Sequence, residues 1–196
     1  LTKNLKLEQS KIMSKNYGEA AKPIYNYFDP EWHPYYKDTD LHTIQSVSKS
    51  VTSALIGIAI ERGEINGLNE KIAQYFPNHS SQFIDPLKSK ITIEDLLTMT
   101  AGIKWDESSH AYTNPMNNAA SMENSNNWID YILSLPMEYK PGEKFVYNSG
   151  ITVLLSHILH EASDMHADEY AEKYLFNKLG IQDYFWKKTP NNLTDA

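Results

Sequence analysis

Cysteine is missing from the chain, which excludes disulfides, thiolate metal sites and a cysteine nucleophile. That absence says little about compartment, since many secreted bacterial proteins also lack cysteine. Basic residues are in the minority, 18 Lys and Arg against 25 Asp and Glu, and the net charge of -7 argues against holding nucleic acid on a basic surface. Long apolar runs are lacking too. The most apolar stretch, Ala54 to Ile60, is far too short to cross a bilayer. The first residues, Leu1-Thr2-Lys3-Asn4, hold no apolar signal core, so a targeting peptide is expected to be absent or already removed. There is no internal repeat, no low-complexity tract and no glycine-rich phosphate loop.

What remains is ample for a core. At 41% hydrophobic and 12% aromatic residues, 196 residues suit one compact domain, or a domain with a small lobe. Residues 1–16 read as a polar helix or extended arm. From Tyr17 to Tyr36, aromatics alternate with Pro23, Pro30 and Pro34, as in a short strand and a looping connection; these rings pack, or they wall a cleft. Helical spacing predicts a helix from Val47 to Arg62, apolar on more than one face and ended by Gly63, with Gly57 allowing close packing. A turn or small hairpin follows at Glu64 to Gly67. Further helices are predicted at Ile93–Thr100 with Thr92 and Asp95 as caps, at Trp128–Ser134, at Ile151–Ser163, and at Asp168–Lys178 closed by Gly180. The Ser- and Asn-rich stretch from Asp106 to Asn127 reads as a long exposed loop.

Chemistry points first to Ser46-Val47-Ser48-Lys49. Of all the serines, only Ser46 has a lysine three residues later. Residues i and i+3 share a helix face, so the Lys49 amine reaches the Ser46 hydroxyl. A serine hydroxyl is a weak nucleophile until a base takes its proton, and a desolvated neutral lysine serves as that base. The start of a helix also offers free N–H groups and a positive dipole end to a developing oxyanion. The plainer reading makes Ser46 a helix cap and Lys49 a solvated side chain, but a lysine in the first turn opposes the dipole.

A second cluster is Tyr147-Asn148-Ser149-Gly150, between a short extended segment and a helix. Tyr147 beside a lysine cation suits proton exchange, and Asn148 and Ser149 can donate hydrogen bonds to a substrate or to Lys49. Alternatively, Ser149 caps the helix and Tyr147 packs in the core. His157, His160 and Glu161 share a helix, but not in the order His-Glu-x-x-His; they read as a polar face rather than a zinc site. His42 reads as an anchor for the approach loop. The acidic pairs Glu94-Asp95 and Asp168-Glu169 suit the dipole in first helical turns.

Together these motifs resemble the β-lactamase-related serine hydrolases: class C β-lactamases, DD-peptidases and their esterase and amide-hydrolase relatives. The likeness runs from about Asp40 to Asp183. It rests on the nucleophile segment Leu41 to Ser53, on Ile91 to Gly102, on the approach Pro141 to Tyr147, and on Tyr147-Asn148-Ser149 as a variant of the family's Tyr-x-Asn. The resemblance implies an α+β, helix-rich, β-lactamase/DD-peptidase-like fold. By that resemblance Ser46 is the acylated nucleophile, Lys49 its base or proton shuttle and Tyr147 the partner acid/base. Ser149 stands in the asparagine position and, with Asn148, contacts substrate. The implied substrate is a small-molecule or peptide-like acyl compound, with no metal or organic cofactor, and a cell-envelope or secreted location. An esterase or peptidase-like activity is favoured over a dedicated β-lactamase.

One motif of the family has no counterpart. Its Lys/His-Ser/Thr-Gly element lies on a cleft-lining strand, yet the last glycine here is Gly180. The nearest text is Lys188-Thr189-Pro190, where proline cannot donate an N–H. The chain is therefore expected to be a partial domain over 1–196, lacking the C-terminal sheet strands. A protein that keeps the fold but binds, or acylates without turnover, stands as the alternative.

Overall fold

The computed structural model describes residues 44–190 and 192–195, all within one unit spanning Thr43–Ala196. The expected N-terminal arm, the aromatic stretch from Tyr17 to Tyr36 and His42 lie outside the described residues. Among those described there are helices and short 3-10 turns but no strand. Pairing is limited to single bridges, Lys71 with Thr92, Ile103 with Met137 and Lys188 with Thr194.

A 3-10 turn, Gln45–Val47, leads into α1, Ser48–Glu61. A short helix α2, Ile93–Leu97, follows three more 3-10 segments, and α3 spans Asn118–Glu123 and α4 Trp128–Ser134. The longest helix, α5, runs Ser149–Ser163. Next come α6, Ala167–Ala171, a π-helical turn, Glu172–Phe176, and α7, Asn177–Leu179, closed by Gly180 in the left-handed region. The helix expected over Asp168–Lys178 is present as one unbroken helical run from Ala167 to Leu179, with a π turn in its middle.

The core forms around α5. Its run Ile151-Thr152-Val153-Leu154-Leu155 is apolar on every side, and such a helix is stable only when surrounded. It is: Gly150 to Ser156, Ile158 and Leu159 are all buried. Leu55, Ile56 and Ala59 of α1 join the same core, with Ile93 and Leu96 of α2 and Ile129, Ile132 and Leu133 of α4. Each fully buried aliphatic side chain contributes about 1.5–3 kcal/mol. Gly150 sets how near α5 comes to α4, because a Cβ there would stand 2.8 Å from Cγ1 of Ile132.

Two expectations about α1 change. Only one face is buried, and Ser50, Ser53, Ala54 and Gly57 are exposed on another. A Cβ at Gly57 would meet nothing within 4 Å, so among the described residues this glycine serves no close contact. The stretch after Gly63 forms a turn rather than a hairpin, with Gly63 and Gly67 at positive φ.

The stretch from Asp106 to Asn127 is also not a plain exposed loop. Glu107, Asn117, Ala119, Ala120 and Met122 are buried in it, and α3 lies inside it. Several of its asparagines close turns and helix ends, while Asn124 and Asn126 stay exposed. Asn117 Oδ1 accepts from Ala119 N and Ala120 N at 3.0 and 3.2 Å, Asn118 Oδ1 accepts from Asp106 N at 2.7 Å, and Asn127 caps α4.

Lys88 is buried, and its ammonium donates to the carbonyls of Leu133 and Leu135 at 2.6 and 2.7 Å, at the C-terminal end of α4. Burial lowers its pKa from the ordinary lysine value, with Asp85 opposing. At the other end of the fold the tail returns to α5 and α6. Ser156 Oγ donates to Thr194 O at 2.8 Å and Lys188 Nζ to Asp168 Oδ1 at 2.6 Å. Burial pushes the Asp168 carboxyl up, but hydrogen bonds from Lys188 and Thr194 outweigh it and hold the group below the usual carboxylate range.

Candidate active site

Ser46 sits in the 3-10 turn and Lys49 in the first turn of α1, and the lysine Nζ donates to Ser46 Oγ at 3.1 Å. The residue before the serine, Gln45, has φ +43°, a left-handed conformation that costs a non-glycine residue about 1–3 kcal/mol. Ser48 Oγ donates to the Gln45 carbonyl at 2.7 Å and Val47 N to Ile44 O at 3.1 Å, which hold the bend. Ser46 is exposed and Lys49 half-buried, so the lysine is not enclosed as expected.

Tyr147 arrives from far along the chain. Its hydroxyl donates to Ser46 Oγ at 2.7 Å across 101 residues, and the Lys49 Nζ lies 5.6 Å from its ring centre. The segment before it is hung on the turn after α2. A capping box starts that helix, with Asp95 N donating to Thr92 Oγ1 at 3.2 Å and Thr92 N to Asp95 Oδ2 at 2.8 Å. The chain then bends at Met99 and Gly102, both at positive φ. Their carbonyls and that of Thr100 receive the returning strand of chain. Glu138 N and Tyr139 N donate to Gly102 O, Gly142 N to Thr100 O and Val146 N to Met99 O, at 2.8 to 3.1 Å. The stretch Ile91 to Gly102 therefore serves as the bracket that aims Tyr147 at Ser46.

The two residues after Tyr147 make their side-chain hydrogen bonds elsewhere than at Ser46. Asn148, expected at the substrate, is buried, and its Oδ1 caps α5 by accepting from Ile151 N at 3.2 Å. The cap is thus Asn148 and not Ser149. Ser149 turns to Glu107, donating its N–H to Oε2 at 2.8 Å and its hydroxyl to Oε1 at 2.9 Å. Trp105 Nε1 and Tyr112 OH donate to the same carboxylate at 2.6 and 3.3 Å. Sequence reasoning missed Glu107. The one available signal was a carboxylate flanked by Trp105 and Tyr112 in an otherwise polar stretch.

Other candidates resolve into structural roles. His157 is not on a solvated polar face: its Nε2 lies 2.9 Å from Tyr75 O and its ring 4.6 Å from Phe76. His160 stacks on His166 at 4.6 Å. Among the described residues no three His, Asp or Glu side chains gather to hold a metal ion, and no helix is long and apolar enough to cross a membrane. Lys188 is engaged with Asp168 instead of lining the site. An apolar hollow beside the nucleophile turn is lined by Ile44, Ser48, Val51, Phe176 and Tyr184 to Trp186.

A family model described as Beta-lactamase matches residues 26–194. The chain belongs to the β-lactamase family. Among the curated relatives, a candidate D-alanyl-D-alanine carboxypeptidase of Salmonella agona is 25% identical over 178 residues, which is 87% of this chain and 39% of that protein. Across the first curated relatives the chain spans only 26% to 39% of their length. A candidate 6-aminohexanoate-dimer hydrolase from Bacillus anthracis superposes with TM-score 0.66 at 18% identity, over 82% of this chain and 44% of that one. The octameric penicillin-binding protein homologue from Pyrococcus abyssi gives TM-score 0.55 at 26% identity, over 72% and 32%. The fold is that of β-lactamase and penicillin-binding-protein-like hydrolases, here in its helix-rich part.

Proposed function

We propose that the protein is a serine hydrolase that forms an acyl-enzyme on Ser46. The observation that carries this reading is the meeting of three side chains: Ser46 Oγ receives both the Lys49 Nζ, at 3.1 Å, and the Tyr147 hydroxyl, at 2.7 Å. In that reading Ser46 Oγ attacks an acyl carbonyl while its proton passes to Lys49 in its amine form or to Tyr147 as phenolate. Tyr147 lies on the open side, 41% exposed, and hands the proton to the leaving group. Water then follows the reverse route and releases the acyl group. The curated relatives, named as candidate D-alanyl-D-alanine carboxypeptidases, favour a peptide-like amide as substrate.

The test uses protein expressed from its complete open reading frame and a fluorophosphonate probe. The parent is expected to be labelled once per chain, and Ser46→Ala not at all. Equal labelling of both removes Ser46 from the role. A single-equivalent burst on an activated ester, with no steady turnover, identifies an acylation-only binding protein instead.

A further inference from the structure

Glu107 is a carboxylate only 5% exposed, and its four hydrogen-bond donors are all neutral: the Trp105 indole, the Tyr112 hydroxyl, and the N–H and hydroxyl of Ser149. Packing beside Trp105 would be served as well by an apolar side chain. What the carboxylate adds is acceptor sites aimed at two segments 42 residues apart. One of those segments begins α5, two residues beyond Tyr147.

We propose that Glu107 is a positioning residue of the Ser46 site, pinning Ser149 from two sides and so holding Tyr147 where it reaches Ser46. This rests on the hydrolase reading above. The carboxylate also sets the direction of the Ser149 hydroxyl. That hydroxyl has one proton and gives it to Glu107 Oε1, so only lone pairs are left for any further partner. The pinning is backed on the far side by Asn117, whose Nδ2 donates to the Glu107 carbonyl at 3.1 Å and to His110 O at 2.8 Å.

A glutamine at 107 preserves the contacts. Its carbonyl takes the Trp105 and Ser149 N–H groups, and its amide donates to the two hydroxyls, which reverse. Leucine removes all four, and aspartate keeps the charge but draws it back by one methylene. The three variants are compared with the parent, in protein from the complete reading frame, by the rate of fluorophosphonate labelling per folded molecule, by kcat and KM on a p-nitrophenyl ester, and by exchange of the Ser149 amide. Glu107→Leu and Glu107→Asp are expected to lose about 10²-fold in labelling rate and kcat, the scale of a misplacement near 1 Å. KM changes little, the Ser149 amide exchanges faster, and Glu107→Gln stays close to the parent. Glu107→Asp remains informative should the leucine variant not fold. Parent-like labelling by Glu107→Asp or Glu107→Leu overturns the proposal, as does a lost rate with the Ser149 amide still protected. Failure of the parent itself to label overturns the hydrolase reading and this one with it.

Discussion

Asn148 and Ser149 are adjacent polar residues with opposite errands, the first closing a helix and the second meeting a carboxylate. Asn148→Ala is expected to cost about 1 kcal/mol of stability, as loss of an N-cap does. Denaturant unfolding measures that, and KM on an ester substrate should stay as in the parent. A tenfold rise in KM with unchanged stability would return Asn148 to the substrate. At Ser46 and Lys49 the i, i+3 spacing was enough to foresee the contact, because helical geometry alone brings the two side chains together. Nothing comparable foretold Glu107. Its partners come from residues 105, 112 and 149, and only the folded chain makes them neighbours.

At the scale of elements, the ends of helices proved more legible than the loops between them. Thr92 with Asp95, and Gly180 after Leu179, act where turn chemistry placed them. The stretch from Asp106 to Asn127 was misread because asparagine serves both solvated loops and buried caps, and composition does not separate the two. The bracket after α2 makes a sharper claim. Gly102 has φ +78°, and a Cβ there would stand 2.9 Å from the Tyr139 carbonyl carbon, which is backbone and cannot swing aside. Gly102→Ala is therefore expected to destabilise by about 3 kcal/mol, combining left-handed strain with overpacking. A melting temperature within a degree or two of the parent, read by circular dichroism, would contradict this. The same variant should label more slowly even where folded, since Gly102 O holds the chain that leads to Tyr147.

Over the whole molecule, the half-buried His157 bears on how the fold meets low pH. Burial lowers the His157 imidazole below its ordinary 6.5, with Glu161 pulling the other way. A lowered imidazole means the unfolded chain binds the proton first. The stability that comes from keeping His157 neutral is thus complete above about pH 6.5 and is lost as pH falls through the lowered folded value, at up to about 1.4 kcal/mol per pH unit. His157→Gln, which keeps a donor for Tyr75 O, should flatten unfolding free energy across that window. An unchanged slope would assign the acid sensitivity to other groups. The fold also holds its two halves of the site with unequal firmness. Lys49 rides on α1, whose other face joins the core, and Ser46 sits in the turn that leads straight into it, whereas residues 143–145 and Tyr147 are exposed and the segment is tied back at Val146 by one backbone bond to Met99. Phe145, 63% exposed, is an open invitation to a chymotrypsin-like protease. A nick after Phe145 should silence labelling while the helical signal survives, so samples that look intact by spectroscopy can be dead through a single cut. Nicking seen only above the melting temperature would show the segment to be as firm as the core.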